Sequence, residues 1–541
     1  MSKGQAWRRA AGSQRGAGLG LATLSLVLFL TFLDNTIVSV TLAAVQSELH
    51  MGVSALQWVV NGYALVFAAL MLTAGTLGDI FGRKRVMLGG VAVFCAGSVL
   101  AALAPSGGVL IAGRVVMGVG AAASEPGTLS LIRHLYRDPG QRARALGVWA
   151  AVSGLALALG PVIGGSLVGV WSWRAVFWFN VAFGGAALLA GWAVLPESAD
   201  PEGRRLDLAG FLLGALAIGG ASSAVIAGET AGYRTWWVEG LFVAAAASGV
   251  GFVAYERRAP DPVLNISYFR RPAFSGSNFV AFACYFSTFA IFFFVALYLE
   301  VVGSTSGYAL ALDFLPMAAG MVLASLLTGR WVAATGARAP MVAGSLVAAA
   351  GILATNAVVS PTVGFYPIAL TLAAAGVGVG MAVVPVTSTA LSVIPPKHSG
   401  MAASTTNTSR ELGGVAGVAV LGSMVNGQLT VDLARRLTAL GIPKQFQSLV
   451  ITAVTTGTVG QQAASFHTTS KAVQAIVNKV VGAAYGAFGH GLELALLASG
   501  ALMVLSALVA GLTVTVHRPH DRARLGRLPR LFAFHHDLGW D

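Results

Sequence analysis

The chain reads as an all-α polytopic membrane protein that crosses the bilayer about fourteen times. Three observations predict this class. Of its 541 residues, 56% are hydrophobic and only 10% charged, against about 25% charged in an ordinary soluble domain. The mean hydropathy is +0.76, more apolar surface than a water-soluble core of this size can hide. Finally, apolar runs such as "LATLSLVLFLTFL" and "VMLGGVAVFCAGSVLAALA" recur from end to end. Each run lies in a segment near the roughly 20 residues that cross a hydrocarbon core.

Taken in order, the expected spans lie near 19–45, 56–78, 86–104, 107–131, 146–169, 175–195, 207–228, 236–254, 273–299, 308–334, 340–359, 364–390, 400–425 and 487–516. The first continues past Leu42 with no small-residue cleavage site behind it, so it is read as a span and not as a signal peptide. Short connections such as "APSGG" after Ala104 force neighbouring helices to run antiparallel. Cys95 and Cys284 both fall inside apolar runs, which points to neither a disulfide nor a thiolate metal site.

The formal charge of +13 does not indicate nucleic acid, because of where the cations stand. Most Lys and Arg residues fall in the two tails and in alternate gaps: Lys3, Arg8, Arg9 and Arg15, then Arg83, Lys84 and Arg85, then Arg257, Arg258, Arg270 and Arg271, then the tail from Arg518 to Arg530. That bias places both termini in the cytoplasm. Arg114 and Arg410 are the exceptions within apolar segments.

Topology accounts for "RKR" at 83–85 through anionic head groups. It leaves Gly75, Asp79 and Gly82 of "GTLGDIFGRKR" unexplained. Glycines seven apart let two helices and a tight turn approach closely, and Asp79 can pair with Arg83. The pattern Gly75-x-x-x-Asp79-x-x-Gly82-Arg83-Lys84 resembles the loop between helices two and three of the major facilitator superfamily. Ile80 departs from the wider superfamily's basic residue, as is common in its fourteen-helix branch. In span four, "LIAGRVVMGVGAAA" resembles the family's Arg-centred motif, with Met117 where Gln is common. A mid-membrane charge such as Arg114 costs roughly 2.5–3.5 kcal/mol and so faces a cavity or a partner.

In span five, Gly154, Gly160, Pro161, Gly164 and Gly165 resemble the motif that marks the family's proton-coupled antiporters. Small residues permit close packing and Pro161 bends the helix. "WSWRAVFWFNV" resembles the start of helix six and also fits an interfacial aromatic belt. In span one, "LDNTIVSVTLAAVQ" resembles the signature of fourteen-helix drug:proton antiporters at Leu33, Asp34, Thr36, Ile37 and Val38, while Ala43 replaces a kinking Pro. Counted from opposite faces, Asp34 and Arg114 reach similar depths. The expectation is a shared cavity and a water-bridged pair. The stretch Gly329–Gly336 repeats the glycine interval, with Ala333 at the Asp79 position.

The resemblance implies a major facilitator fold of two six-helix halves plus two extra helices. The expected parts are a tail at 1–18, a first half at 19–195, a linker and two extra spans at 196–254, and a cytoplasmic loop at 255–272. A second half at 273–516, with an extracytoplasmic loop at 426–486, and a basic tail at 517–541 complete the chain. "DLARRL" and "AVQAIVNKVV" predict a helical hairpin within that loop.

Asp34, Arg114, Glu125 and Asp313 are the candidate proton-coupling and cavity residues. Glu125 in "AAASEPGTLS" reads equally as a proton site or a carboxyl kept neutral in a helix contact. Asp313 reads as a cavity acid on the opposite half or as a solvated acid near the mouth. Arg410 with Glu411 reads as a cytoplasmic gate. The expected function is efflux of drugs or other lipophilic or cationic molecules by substrate:proton antiport across the plasma membrane of a bacterium.

The expected partners are a small-molecule substrate, protons and membrane lipids, with no nucleic acid, no cofactor, no metal and a monomeric state. A metabolite transporter on the same fold is the alternative. A membrane enzyme is remote, because no acid or His cluster stands at a membrane face and His517, His520, His535 and His536 lie in the tail. No Gly-Lys-Ser/Thr phosphate loop is present for ATP-driven pumping.

Overall fold

A computed structural model describes residues 3–51, 53–199, 207–303, 307–360, 362–440, 447 and 471–514. The basic tail from 515 onward and its histidines lie outside the described residues. Helices α1 (Lys3–Ile37), α2 (Leu42–Leu49), α3 (Val53–Phe81), α4 (Arg83–Ala102), α5 (Gly107–Leu135), α6 (Pro139–Val170) and α7 (Arg174–Val194) build the first half. Helices α8 (Leu208–Ala231) and α9 (Trp236–Glu256) are the extra pair. The second half holds α10 (Pro272–Ala290), a π-helical turn at Ile291–Val295, and α11 (Ala296–Val301). It continues with α12 (Gly307–Thr335), α13 (Arg338–Val358), α14 (Phe365–Val393), α15 (Ser399–Ala439) and α16 (Lys471–Thr513).

Thirteen helices among the described residues are long and apolar enough to span, and the bent α6 makes a fourteenth. Their outer surfaces are apolar: Leu512, Leu189 and Trp192 are well exposed, as lipid-facing side chains should be.

Local chemistry sets the helix ends. Gly82 and Gly336, at φ +104° and +88°, turn the chain sharply between α3 and α4 and between α12 and α13; a side chain resists that region. Asp138 caps α6 by accepting from Gln141 N at 2.8 Å, with Pro139 as the first helical residue. The face carrying the turns at 82, 136–138 and 336 is called the hairpin face below. On the opposite face, Glu48 accepts from Trp173 Nε1 at 2.7 Å and from Arg174. These bonds, Arg174's first, hold its carboxyl below the usual range. Trp173 is therefore core, while Trp171 and Trp178 stay exposed as an aromatic belt.

Three features refine the sequence expectation. The first span breaks into a 3-10 turn at Ser39–Thr41 although Ala43 has replaced the kinking Pro. The stretches "DLARRL" and "AVQAIVNKVV" are helical as expected, but as continuations of α15, which runs 41 residues, and of α16, which runs 43. Leu433 and Leu437 pack there on Ala483, Ala484 and Ala487; residues 441–446 and 448–470 lie outside the described residues. Finally, Arg410 stands eleven residues into α15, about 16 Å along the axis. It lies about three turns from the start of the helix, buried among its neighbours.

Candidate functional site

Within the first half, Arg114 on α5 donates directly to Asp34 on α1, and both side chains are fully buried. No water bridge separates them. Asn180 on α7 donates to the other Asp34 oxygen at 2.8 Å. Arg114 Nε donates to the Val59 carbonyl at 2.9 Å, and the guanidinium lies 4.4 Å from the centre of the Tyr63 ring. Met117 brings its sulfur to 3.9 Å from Nη1. Every element of this set serves a buried charge, as a low-dielectric site demands.

A second set lies where the two halves meet. Arg410 on α15 donates to Asn407 Oδ1 at 3.0 Å and to Thr387 on α14, and it stacks on Trp149 of α6 at 5.2 Å and Tyr285 of α10 at 5.7 Å. Trp149 comes from the opposite half. Its indole N–H is held by Thr128 at 3.0 Å. Arg410 has no carboxylate partner among the described residues. The charges acting on Glu125 are those of Glu411 and Arg410, yet its Oε2 is buried without a hydrogen bond. Asp313 on α12 is half-buried, makes no described polar contact and joins neither set.

The glycines of α6 place it against both halves. A Cβ on Gly160 or Gly164 would strike Thr36 and Ile37 of α1, whereas Gly154 faces Met321 of α12 at 3.2 Å; Gly165 has open space. Pro161 has no N–H for the Leu157 carbonyl, which accepts instead from Thr36 Oγ1 at 3.1 Å. The helix bends by 41° at this break.

On the hairpin face, Asp79 crosses between the halves. Its oxygens accept from Gly400 N at 3.0 Å and Met401 N at 3.2 Å, the first turn of α15. Arg83 holds the same carboxylate at 2.7 Å and reaches the Pro396 carbonyl at 3.3 Å. An acid at a helix start is favoured by the axial dipole and the free amides. Gly75 makes the approach possible: a Cβ there would collide with the Gly400 carbonyl and stand 2.6 Å from Ser404 Cβ.

Of the "RKR" triplet, Arg83 is buried in this contact and also bonds Ser198 Oγ at 2.9 Å. Lys84 caps α7 through the Trp192 and Leu195 carbonyls at 2.8 and 2.7 Å. Arg85 remains at the surface.

A strap between α9 and α10 reinforces this corner. Val263 accepts from Thr76 Oγ1 at 3.0 Å, and Tyr268 meets His398 Nδ1 at 2.7 Å. Sequence reasoning missed Asn180, Trp149, Thr387 and this strap. A lone Asn inside an apolar span was a usable signal for Asn180; the others depend on tertiary placement.

Residues 24–418 match the family described as the Major Facilitator Superfamily. The methylenomycin A resistance protein of Bacillus subtilis is 34% identical over 75% of this chain and 87% of its own length. The multidrug resistance protein Stp of Mycobacterium tuberculosis is 32% identical, covering 77% of this chain and 78% of its own. The drug efflux pump JefA of the same species is 32% identical over 91% and 97%. The crystal structure of the human organic anion transporter MFSD10 superposes with a TM-score of 0.59 at 14% identity, over 92% of this chain and 99% of that one. That likeness concerns the fold. The chain belongs to the Major Facilitator Superfamily, as a multi-pass transporter whose relatives include drug-resistance efflux proteins.

Proposed function

We propose that the protein exports drug-like small molecules across the plasma membrane in exchange for protons, by alternating access of its two halves. The single observation that carries the reading is the fully buried Asp34–Arg114 pair. A proton reaching Asp34 neutralises the carboxylate and leaves Arg114 buried without its counter-charge. Breaking a buried pair in this way costs on the order of 3–5 kcal/mol, ample to re-weight two conformations. Under this reading Glu125, beside Arg410 and Glu411, and Asp313 on the opposite half are the further carboxyls available to cargo or proton. Coupling requires only that cargo and proton favour opposite orientations.

Under this reading both termini and the hairpin face are cytoplasmic, and the Asp79 contact shuts that face while the cavity opens outward. The working unit is a monomer that needs no cofactor beyond the proton, moving among membrane lipids. The test is transport by purified protein in liposomes. Efflux of a drug of the antibiotic class should rise with an imposed pH gradient, and Asp34→Asn should lose that dependence at least tenfold. Gradient-independent efflux, or an unchanged Asp34→Asn, rejects the proposal.

A further inference from the structure

We infer that the corner formed by Arg133 and Arg142 on the hairpin face binds a phosphate-bearing anion, which takes the place of a carboxylate missing at Ala333. The inference does not depend on proton coupling. It starts from the internal repeat. Gly75 packs α3 on the start of α15, and Gly329 packs α12 on the start of α6, where a Cβ would come within 2.7 Å of the Ala143 carbonyl. Both hairpins end in a glycine of positive φ, Gly82 and Gly336. Four residues after the first glycine stands Asp79 in one hairpin and Ala333 in the other. Asp79 grips the amides of α15. Ala333 offers only a methyl, 3.5 Å from the point a Cβ on Gly140 would occupy.

Two buried cations, Arg133 in the last turn of α5 and Arg142 in the first turn of α6, are short of acceptors. Arg133 gives Nη2 to the Ile394 carbonyl of the other half at 2.7 Å, while its Nη1 is buried with no partner. Arg142 is 9% exposed, its Nε is buried without a partner, and its guanidinium makes no described hydrogen bond or ion pair. Arg133 feels the like charges of Arg142 and Arg83. Among the described residues the attracting charge on it is Asp79, already engaged by Arg83 and α15. Asp138, the acid acting on Arg142, is engaged as the cap of α6.

Like charges drawn out of water repel strongly. Guanidinium N–H groups, with Arg142 at the start of a helix, match the oxygens of a phosphate better than they match a neutral ligand. Two sources share that chemistry: the head group of an anionic lipid in the adjoining leaflet, and phosphate free in solution. Either would tie α5 and α6 to the ends of α12 and α14.

The experiment follows thermal unfolding of the full chain by its tryptophan fluorescence. One arm titrates inorganic phosphate against chloride at equal ionic strength in neutral detergent. The other compares nanodiscs of phosphatidylglycerol with nanodiscs of phosphatidylcholine. The expected result is a rise in Tm of about 2–5 °C with phosphate, with phosphatidylglycerol, or with both, which names the source. Arg142→Gln should lose the rise. Ala333→Asp should start from a higher Tm and respond to neither anion, because its own carboxylate fills the corner. No rise in either arm, an undiminished rise in Arg142→Gln, or a full response in Ala333→Asp would each overturn the inference. If Arg142→Gln does not fold, Ala333→Asp decides alone.

Discussion

On the hairpin face the halves meet at two corners of the same backbone design and different charge. At one, α3 meets α15 with a carboxylate between them; at the other, α12 meets α6 with a methyl in that position. The glycine that permits close approach and the glycine that turns the chain are present in both. Packing and charge are thus separable parts of the closure. The repeat retains the part that shapes the seam and lacks the part that fastens it. A seam fastened at one corner parts more easily at the other.

Substitutions can break this comparison in order of severity. The largest effect is expected from Gly75→Val, which drives a branched side chain into the Gly400 carbonyl and Ser404 and holds the fastened corner apart. Spin labels at Arg85→Cys and Lys397→Cys, in a background without Cys95 and Cys284, should report a shift to the open distance with transport reduced at least tenfold. A smaller effect is expected from Asp79→Asn, which keeps the shape and loses the charge. Each hydrogen bond to a charged group contributes about 1.5–3 kcal/mol, so closure should weaken by roughly 10- to 100-fold in the same distance distributions.

Gly329→Ala comes next. Its methyl meets a backbone carbonyl at 2.7 Å, and the unfastened corner should widen by a few tenths of an ångström and slow exchange without abolishing it. A distance between labels at Arg144→Cys and Arg330→Cys checks this. The smallest effect sharpens the contrast from the other side. Glu48–Arg174 lies within one half, so Glu48→Gln should leave both corner distances unaltered. Because folding lowers the Glu48 pKa, its contribution is present above the unfolded value and is lost as pH falls through the folded one. Wild type and Glu48→Gln should therefore differ in Tm at neutral pH and converge in acid.

Much of the fold is legible in the sequence because the bilayer reduces it to length and hydropathy. Asp79, Asp34 and Arg114 are visible for a related reason: charges are rare enough in such segments that each needs an explanation. What escapes is whatever depends on which helices become neighbours. Arg133 looks like a topology charge until the Ile394 carbonyl of the other half is found on it, and Arg142 until its side chain is found buried. Glu125 and Arg410 look unrelated until α5 and α15 meet at the seam. The length of α15 escapes for another reason. Beyond residue 425 it is too polar to score as a span, and it continues as a helix through the Asp432–Arg436 pair at 3.1 Å and the packing of Leu433 and Leu437 on α16.

That helix joins two remote places. Its first turn is gripped by Asp79, and its last turns pack on α16 some 37 residues later, about 55 Å along one unbroken axis. Such a rod is longer than the roughly 30 Å of a hydrocarbon core, so its end remote from Asp79 reaches beyond it. An antibody fragment seated on the protruding turns would bear on the clasp without entering the membrane, making this stalk a handle for holding the transporter in one posture.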